Sequence, residues 1–121
     1  MIEIEEIAAG QGPQTKHGDT VDVHYIGSFP DGRQFDSSRD RNEPLTVTIG
    51  RTGLIAGFTM GLMGMRLGGR RKITIPYDLA YGEAGRPPTI PPKATLVFDL
   101  EIMRHVPTEL SLIHISEPTR L

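Results

Sequence analysis

Apolar and polar residues alternate along four segments of the chain, at 21–25, 45–49, 72–75 and 96–102. In the first segment, for example, Val21, Val23 and Tyr25 are separated by polar residues. A period of two with one apolar face is typical of strands that cover a core on one side. A fifth, shorter strand is predicted at residues 2–4, where two isoleucines flank a glutamate. We therefore expect a five-stranded antiparallel sheet.

Residues 55–65 follow a different period and predict one short helix. Their large apolar residues recur at steps of three and four, at Ile55, Phe58, Leu62 and Met65. Three glycines interrupt this segment, and each costs about 1 kcal/mol relative to alanine inside a helix. The helix therefore needs a surface to pack on, and the glycines allow backbone or ligand to come close. The expected fold is α+β, a curved five-stranded antiparallel sheet wrapped around one short helix.

The connection 76–94 is long and irregular, and it contains five prolines and two glycines. Loops of more than about 12–15 residues in compact domains usually serve a function. Proline fixes its own φ and restricts the residue before it, so this loop is expected to be stiff. The PxxP pattern at Pro88–Pro91 is weak and is interpreted as part of a structural loop.

Composition narrows the class of protein. A chain of 121 residues corresponds to one domain, and its net charge of −2 argues against nucleic acid as the main partner. The absence of cysteine excludes disulfides and thiolate catalysis. No apolar run approaches the roughly 18 residues of a membrane helix, and the N-terminus lacks the pattern of a signal peptide. We expect a cytoplasmic protein, with the periplasm as the alternative if a signal peptide is missing from this sequence.

The common catalytic patterns are not found. The four histidines are far apart, so no metal site or cofactor is expected, and His24 is interpreted as solvated on the polar face of its strand. The basic residues that flank Gly68 and Gly69 are interpreted as a solvated hairpin: Arg66, Arg70, Arg71 and Lys72. His114, Ser116 and Glu117 hold the groups of a nucleophilic triad, but they are adjacent in a tail that does not belong to the fold.

That tail, residues 110–120, resembles the conceptual translation of a transposon-based sequencing adapter. We therefore expect the domain to occupy residues 1–105, with 106–109 of uncertain status and 110–121 an artefact of read-through.

Five of the seven aromatic residues lie on elements that are not adjacent in sequence: Tyr25, Phe35, Phe58, Tyr81 and Phe98. They could simply be core. Buried tyrosines, however, need a polar partner, and Asp36 is close to this set in the sequence. Apolar walls with a few placed polar groups are typical of a ligand pocket.

Five motifs resemble the FKBP family of peptidyl-prolyl cis–trans isomerases: VHYIG at 23–27, GRQFDSSRDR at 32–41, LIAGF at 54–58, YG at 81–82 and IPPKATLVF at 90–98. The resemblance runs without gaps from about residue 2 to residue 103. The compact strand at 45–49 is similar to that of the bacterial single-domain branch.

The resemblance implies rotation of Xaa–Pro bonds as the activity. It implies catalytic residues at Tyr25, Phe35, Asp36, Phe58, Tyr81 and Phe98. It implies substrate-binding residues at Arg41, Leu45, Gly53, Leu54, Ile55, Arg86 and Ile90. Phe58 would lie under the proline ring of the substrate. The Ile55 N–H and the Tyr81 hydroxyl would donate hydrogen bonds to substrate carbonyls. Asp36 would pair with Arg41 and accept a hydrogen bond from Tyr25.

The implied partners are proline-containing polypeptides and macrolide immunosuppressants, and the implied state is a monomer. The chain departs from the family pattern at Phe58, Arg86, Gly53, Leu45 and Thr89. Phe58 stands where tryptophan is usual, and Arg86 stands where histidine is often found. The alternative is therefore a module that binds proline segments or macrolides with little turnover.

Overall fold

Six strands and one helix make up the fold in the computed structural model, which describes residues 2–51 and 55–108. In chain order the elements are β1 (Glu3–Ala8), β2 (Thr20–Ser28), β3 (Gln34–Ser37), β4 (Leu45–Thr48), α1 (Ala56–Leu62), β5 (Arg70–Ile75) and β6 (Leu96–Val106). A single 3₁₀ turn follows β5 at Tyr77–Leu79. In the described part of the chain, no helix is long and apolar enough to cross a membrane.

All strand pairs are antiparallel, and the order across the sheet is β1-β5-β6-β2-β3, with β4 also paired to β2. The predicted α+β class and the predicted helix are confirmed, and each of the five predicted strands is present. The sheet also contains a sixth strand, β3, that was not predicted. Its sequence, QFDS, has only one large apolar side chain, so no alternation marks it.

The core lies between the sheet and α1. Along β2, buried and half-buried residues alternate, with Val21 and Val23 fully buried and Asp22 between them partly exposed. Two glycines of α1 lie directly against isoleucines of β5. A Cβ at Gly57 would lie 2.3 Å from the Ile75 side chain, and one at Gly61 would lie 2.4 Å from Ile73. The glycines therefore let the helix approach the sheet closely, as the sequence predicted.

Arg71 caps the C-terminal end of α1. Its guanidinium donates hydrogen bonds to the carbonyl oxygens of Gly61 (3.1 Å), Met63 (2.5 Å) and Gly64 (3.2 Å), and to the carboxylate of Glu6 (2.6 Å). The last carbonyls of a helix lack partners within it, so a buried cation there satisfies them. The interpretation of this basic cluster as a solvated hairpin is therefore wrong for Arg71, whose side chain is only 12% exposed.

A buried polar cluster joins the start of β2 to the end of β6. The carboxylate of Asp19 lies 2.8 Å from Nε2 of His105, and it accepts hydrogen bonds from the backbone N–H and the hydroxyl of Thr108. The pKa of Asp19 is lowered: burial acts to raise it, but the bonds from His105, Thr108 and Lys16 outweigh that effect. The described residues beyond 105 thus contact the domain directly.

Candidate active site

Four aromatic rings from four different elements meet at one end of the core. Phe58 on α1 packs edge-to-face against Phe98 on β6, with ring centroids 5.1 Å apart, and against Tyr25 on β2 at 5.9 Å. Phe35 on β3 packs edge-to-face on Phe98 at 5.8 Å. Edge-to-face packing is the arrangement that aromatic pairs favour. The rings of Tyr25, Phe58 and Phe98 are buried, whereas Phe35 is half-buried.

These rings enclose the inner cavity, which has a volume of about 190 Å³. Its lining is mostly apolar: Tyr25, Phe35, Asp36, Leu45, Ile55, Phe58, Tyr81, Arg86 and Phe98. All nine were predicted as site residues from the sequence. Arg41 reaches the cavity through Asp36, and Ile90 lies on the neighbouring cavity described below. Gly53 and Leu54, also predicted, lie outside the described residues.

Gly27 supports two walls of the inner cavity and was not predicted as a site residue. A Cβ at this position would lie 2.7 Å from Cζ of Phe35 and 2.9 Å from Cε1 of Phe98. Both rings therefore lie against bare backbone of β2. A glycine inside a strand is the signal that could have found it, because such a glycine often marks a close approach.

Tyr25, Asp36 and Arg41 form a closed hydrogen-bond network at the inner cavity. The Tyr25 hydroxyl donates to Oδ2 of Asp36 (2.7 Å), and Arg41 donates both to Oδ1 of Asp36 (2.6 Å) and to the Tyr25 oxygen (2.9 Å). The backbone N–H of Ser37 also donates to Asp36. The bonds of Asp36 with Tyr25 and Arg41 are those that the family resemblance implied, whereas the bonds from Arg41 to Tyr25 and from Ser37 to Asp36 were not predicted.

The network holds Asp36 ionised and Tyr25 neutral. Burial acts to raise the pKa of Asp36, but the hydrogen bonds from Tyr25 and Arg41 bring it below its ordinary value. The pKa of Tyr25 is raised, first by burial and then by its bond to the Asp36 carboxylate. Neither group changes charge near neutral pH, so the network positions side chains and does not exchange protons.

His24 and Ser38 fix the chain beside this network. Ser38 is fully buried, and its Oγ accepts the backbone N–H of Tyr25 (2.7 Å) and lies 2.9 Å from Nδ1 of His24. His24, interpreted from the sequence as solvated, is half-buried and engaged in this contact. A histidine on the polar face of a strand can form a hydrogen bond with a residue of a following turn. The alternation of residues along the strand does not reveal such a bond.

The outer cavity, of about 420 Å³, adjoins the inner one. The two cavities share Phe35, Asp36, Tyr81 and Arg86, and the outer one is completed by Pro87, Pro88, Thr89 and Ile90. Reciprocal backbone hydrogen bonds between Arg86 and Ile90, at 2.8 and 2.9 Å, close the base of this loop. Pro87, Pro88 and Thr89 were not predicted as site residues, although the proline-rich composition of the loop pointed to them.

The model of the FKBP-type peptidyl-prolyl cis–trans isomerase family matches residues 12–103. The chain belongs to this family. Among curated relatives, this FKBP-type chain is 47% identical over 104 residues to the Xenopus laevis peptidyl-prolyl cis-trans isomerase FKBP1A, covering 85% of this chain and 96% of the relative. It is 44% identical over 101 residues to a Neisseria meningitidis FK506-binding protein, covering 84% of this chain and 93% of the relative.

Longer FKBP-type proteins also match. The chain is 46% identical over 102 residues to FK506-binding protein 4 of Dictyostelium discoideum, covering 84% of this chain but only 28% of that relative. Among solved structures, FkpA from Escherichia coli superposes with a TM-score of 0.80 and 44% identity, covering 88% of this chain and 49% of FkpA. The FKBP fold of this chain thus occurs both alone and as part of larger proteins.

Proposed function

We propose that the inner cavity catalyses cis–trans isomerisation of Xaa–Pro bonds in polypeptides. The observation that carries this proposal is the set of four aromatic rings around a mostly apolar cavity. The carboxylate that lines this cavity, Asp36, already accepts hydrogen bonds from Tyr25 and Arg41. Such a cavity offers a proline ring an apolar site and offers no group for bond cleavage. This reaction is the activity of the family to which the chain belongs.

The energetics of the reaction suit such a cavity. Rotation about a peptide bond has a barrier of about 18–20 kcal/mol, because twisting forfeits amide resonance. A barrier of 20 kcal/mol corresponds to a rate on the order of 10⁻² per second, and removing roughly 5 kcal/mol accelerates it by about four decades. No bond breaks, so the reaction needs neither a nucleophile nor a proton donor.

An apolar cavity favours the twisted state relative to water, because the planar imide is the more dipolar species. Fixed donors then stabilise the rotated carbonyl more than the planar one. Among the described residues, the Tyr81 hydroxyl has no hydrogen-bond partner, and we assign it this role together with the backbone N–H of Ile55. Tyr25, Phe35 and Phe98 would wall the proline ring, and Phe58 would form its floor.

The remaining proposals concern partners and boundaries. We propose folding polypeptides as clients and FK506-type macrolides as ligands of the same cavity, because two relatives are named FK506-binding proteins. We also propose a monomeric cytoplasmic protein, with its domain at residues 1–105 and a tail at 110–121 that adds nothing. The strand β6 runs to Val106 and Thr108 bonds to Asp19, which favours extending that domain to residue 108.

The test is a rate measurement on a short proline peptide, by NMR exchange or a protease-coupled assay. We expect the rate to rise linearly with protein concentration and to fall when FK506 is added in stoichiometric amount. A peptide rate equal to the uncatalysed one, with FK506 still bound, would instead support the alternative of a binding module. If there is neither turnover nor FK506 binding, the proposed use of this cavity is wrong.

A further inference from the structure

Arg86 holds a defined position at the junction of the two cavities. It is exposed, but its backbone is fixed by the paired hydrogen bonds to Ile90. Its guanidinium carbon lies 5.8 Å from the centroid of the Tyr81 ring. Stacking on an aromatic face restricts an arginine side chain and leaves its N–H donors directed outward. Arg86 is therefore a cation placed beside both cavities by two separate contacts.

No acid neutralises Arg86 within the described part of the chain. Asp36 is the one carboxylate among the described residues that line the cavities, and its oxygens are held by Tyr25, Arg41 and Ser37. Glu83 lies on the same loop but forms no ion pair with Arg86. The rim of the site thus offers an uncompensated positive charge to whatever occupies the outer cavity.

We propose that Arg86 selects clients that carry an anionic side chain on a residue next to the proline. The inference rests on the proposed function, since it takes the proline ring to lie in the inner cavity. Consecutive Cα atoms are only about 3.8 Å apart across a trans peptide and about 2.9 Å across a cis one. A residue adjoining the proline therefore lies where the two cavities share their walls, within reach of Arg86.

Carboxylates are the side chains that a guanidinium recognises best. Its planar fork matches a carboxylate with two parallel hydrogen bonds, which a lysine ammonium cannot reproduce. The pair would be formed at an exposed rim, so the expected preference is about two- to five-fold in kcat/KM, the range of exposed ion pairs. Salt at about 1 M shortens the screening length to about 3 Å and should reduce this preference.

The test compares peptides that differ only in charge. One series places Glu or Gln before the proline, and a second places Glu or Gln after it. The readout is the Glu/Gln ratio of kcat/KM at low and high salt, measured for the unaltered protein, Arg86→Gln, Arg86→Lys and Arg33→Gln. Arg33 is a matched control, since its guanidinium lies 5.1 Å from the Phe29 ring centroid yet it lines neither cavity.

We expect a ratio of about two to five in at least one series, reduced by salt. Arg86→Gln should bring it to about one, Arg86→Lys should retain part of it, and Arg33→Gln should leave it unchanged. A ratio near one in both series, or a ratio that persists in Arg86→Gln, overturns the inference. Turnover of the Gln peptides by the unaltered protein shows independently whether the proposed isomerase activity holds. Without that turnover the proposed function fails, and this inference fails with it.

Discussion

The Tyr25 hydroxyl donates a 2.7 Å hydrogen bond to Oδ2 of Asp36, and Arg41 donates to the Tyr25 oxygen and to the other carboxylate oxygen, Oδ1. The three side chains come from β2, from β3 and from the turn that follows it. A closed triangle of this kind fixes the position of the Tyr25 ring, which is itself a wall of the inner cavity. The carboxylate therefore acts on the site through the tyrosine that it holds.

Replacing Asp36 should lower activity without unfolding the protein. In Asp36→Ala the Tyr25 hydroxyl and Arg41 lose their acceptor, so we expect a reduced kcat/KM on proline peptides with an unchanged circular dichroism spectrum. Asp31→Asn is the control, because Asp31 pairs with Arg33 at an exposed position and contacts neither cavity. Full activity in Asp36→Ala would remove Asp36 from the mechanism.

The same network predicts how activity depends on pH. Because the pKa of Asp36 is below its ordinary value of about 3.9, its bonds are fully present above that value and are lost as the pH falls further. Tyr25 stays neutral until the pH exceeds its ordinary pKa of about 10, because its own pKa is raised. A rate profile from about pH 6 to 9 should therefore be flat. A bell-shaped profile centred near neutrality would contradict a mechanism without proton transfer.

Phe58 should determine affinity for ligands of the inner cavity. Tryptophan would cover about 40 Å² more apolar area, which is worth about 1 kcal/mol or several-fold in affinity at roughly 25 cal/mol per Å². We expect Phe58→Trp to bind FK506 more tightly with similar or modestly higher turnover. Phe58→Ala should weaken both and cost roughly 3–5 kcal/mol of stability. Equal affinities in titrations of the three proteins would show that Phe58 is ordinary core.

Gly27→Ala should displace the aromatic rings that form two walls of the inner cavity. The new methyl group would overlap Phe35 and Phe98, and overpacking of this kind costs about 1–3 kcal/mol. We expect weaker FK506 binding together with a lower melting temperature. Adding Phe35→Leu, which removes the ring that meets the methyl group most closely, should restore part of the stability. If the losses of stability caused by the two substitutions simply add in the double variant, Gly27 does not act through Phe35.

Arg71 should be more important for stability than its neighbour Arg70. Arg71→Met removes the donor to three carbonyls at the end of α1, two of them in part-buried bonds, and such a hydrogen bond contributes about 0.5–1.5 kcal/mol. Arg70→Met removes only a pair with Asp99 on the outer face, which is worth at most about 1 kcal/mol. Urea unfolding of both variants measures the difference. If both variants lose the same free energy of unfolding, the cap that Arg71 forms on α1 contributes no more than an exposed ion pair.

Two truncations separate the domain from its tail. Cutting after Glu109 should leave the melting temperature unchanged, as expected for an adapter-derived segment. Cutting after His105 also removes Thr108, which donates two hydrogen bonds to the buried Asp19, so it should lower the melting temperature clearly. If the first truncation destabilises the protein as strongly as the second, residues 110–121 belong to the fold.

Local patterns revealed the elements that have a strong period. Alternation located β2 and β6 because one face is buried along β2 and along β6 from Leu96 to Ile102. It did not locate β3, whose single large apolar residue, Phe35, cannot define a period. The site residues came from the family resemblance, because no local rule connects Phe58 with Phe98. Asp19 was missed because its partner is remote, His105 lying 86 positions after it. Arg71 was missed because its position in a basic cluster beside a turn does not reveal that its side chain bonds the carbonyls at the end of α1.

The place of β6 in the sheet has a consequence for biosynthesis. It is the last described strand in the chain, yet it lies between β5 and β2 and supplies Phe98 to the inner cavity. A ribosome releases the chain from its N-terminus, and contacts remote in sequence form only when both partners are available. Until residues 96–106 emerge, β2 and β5 have no common neighbour and the cavity lacks a wall. A chain stalled before that point has no working site, so activity can begin only after residues 96–106 have left the ribosome.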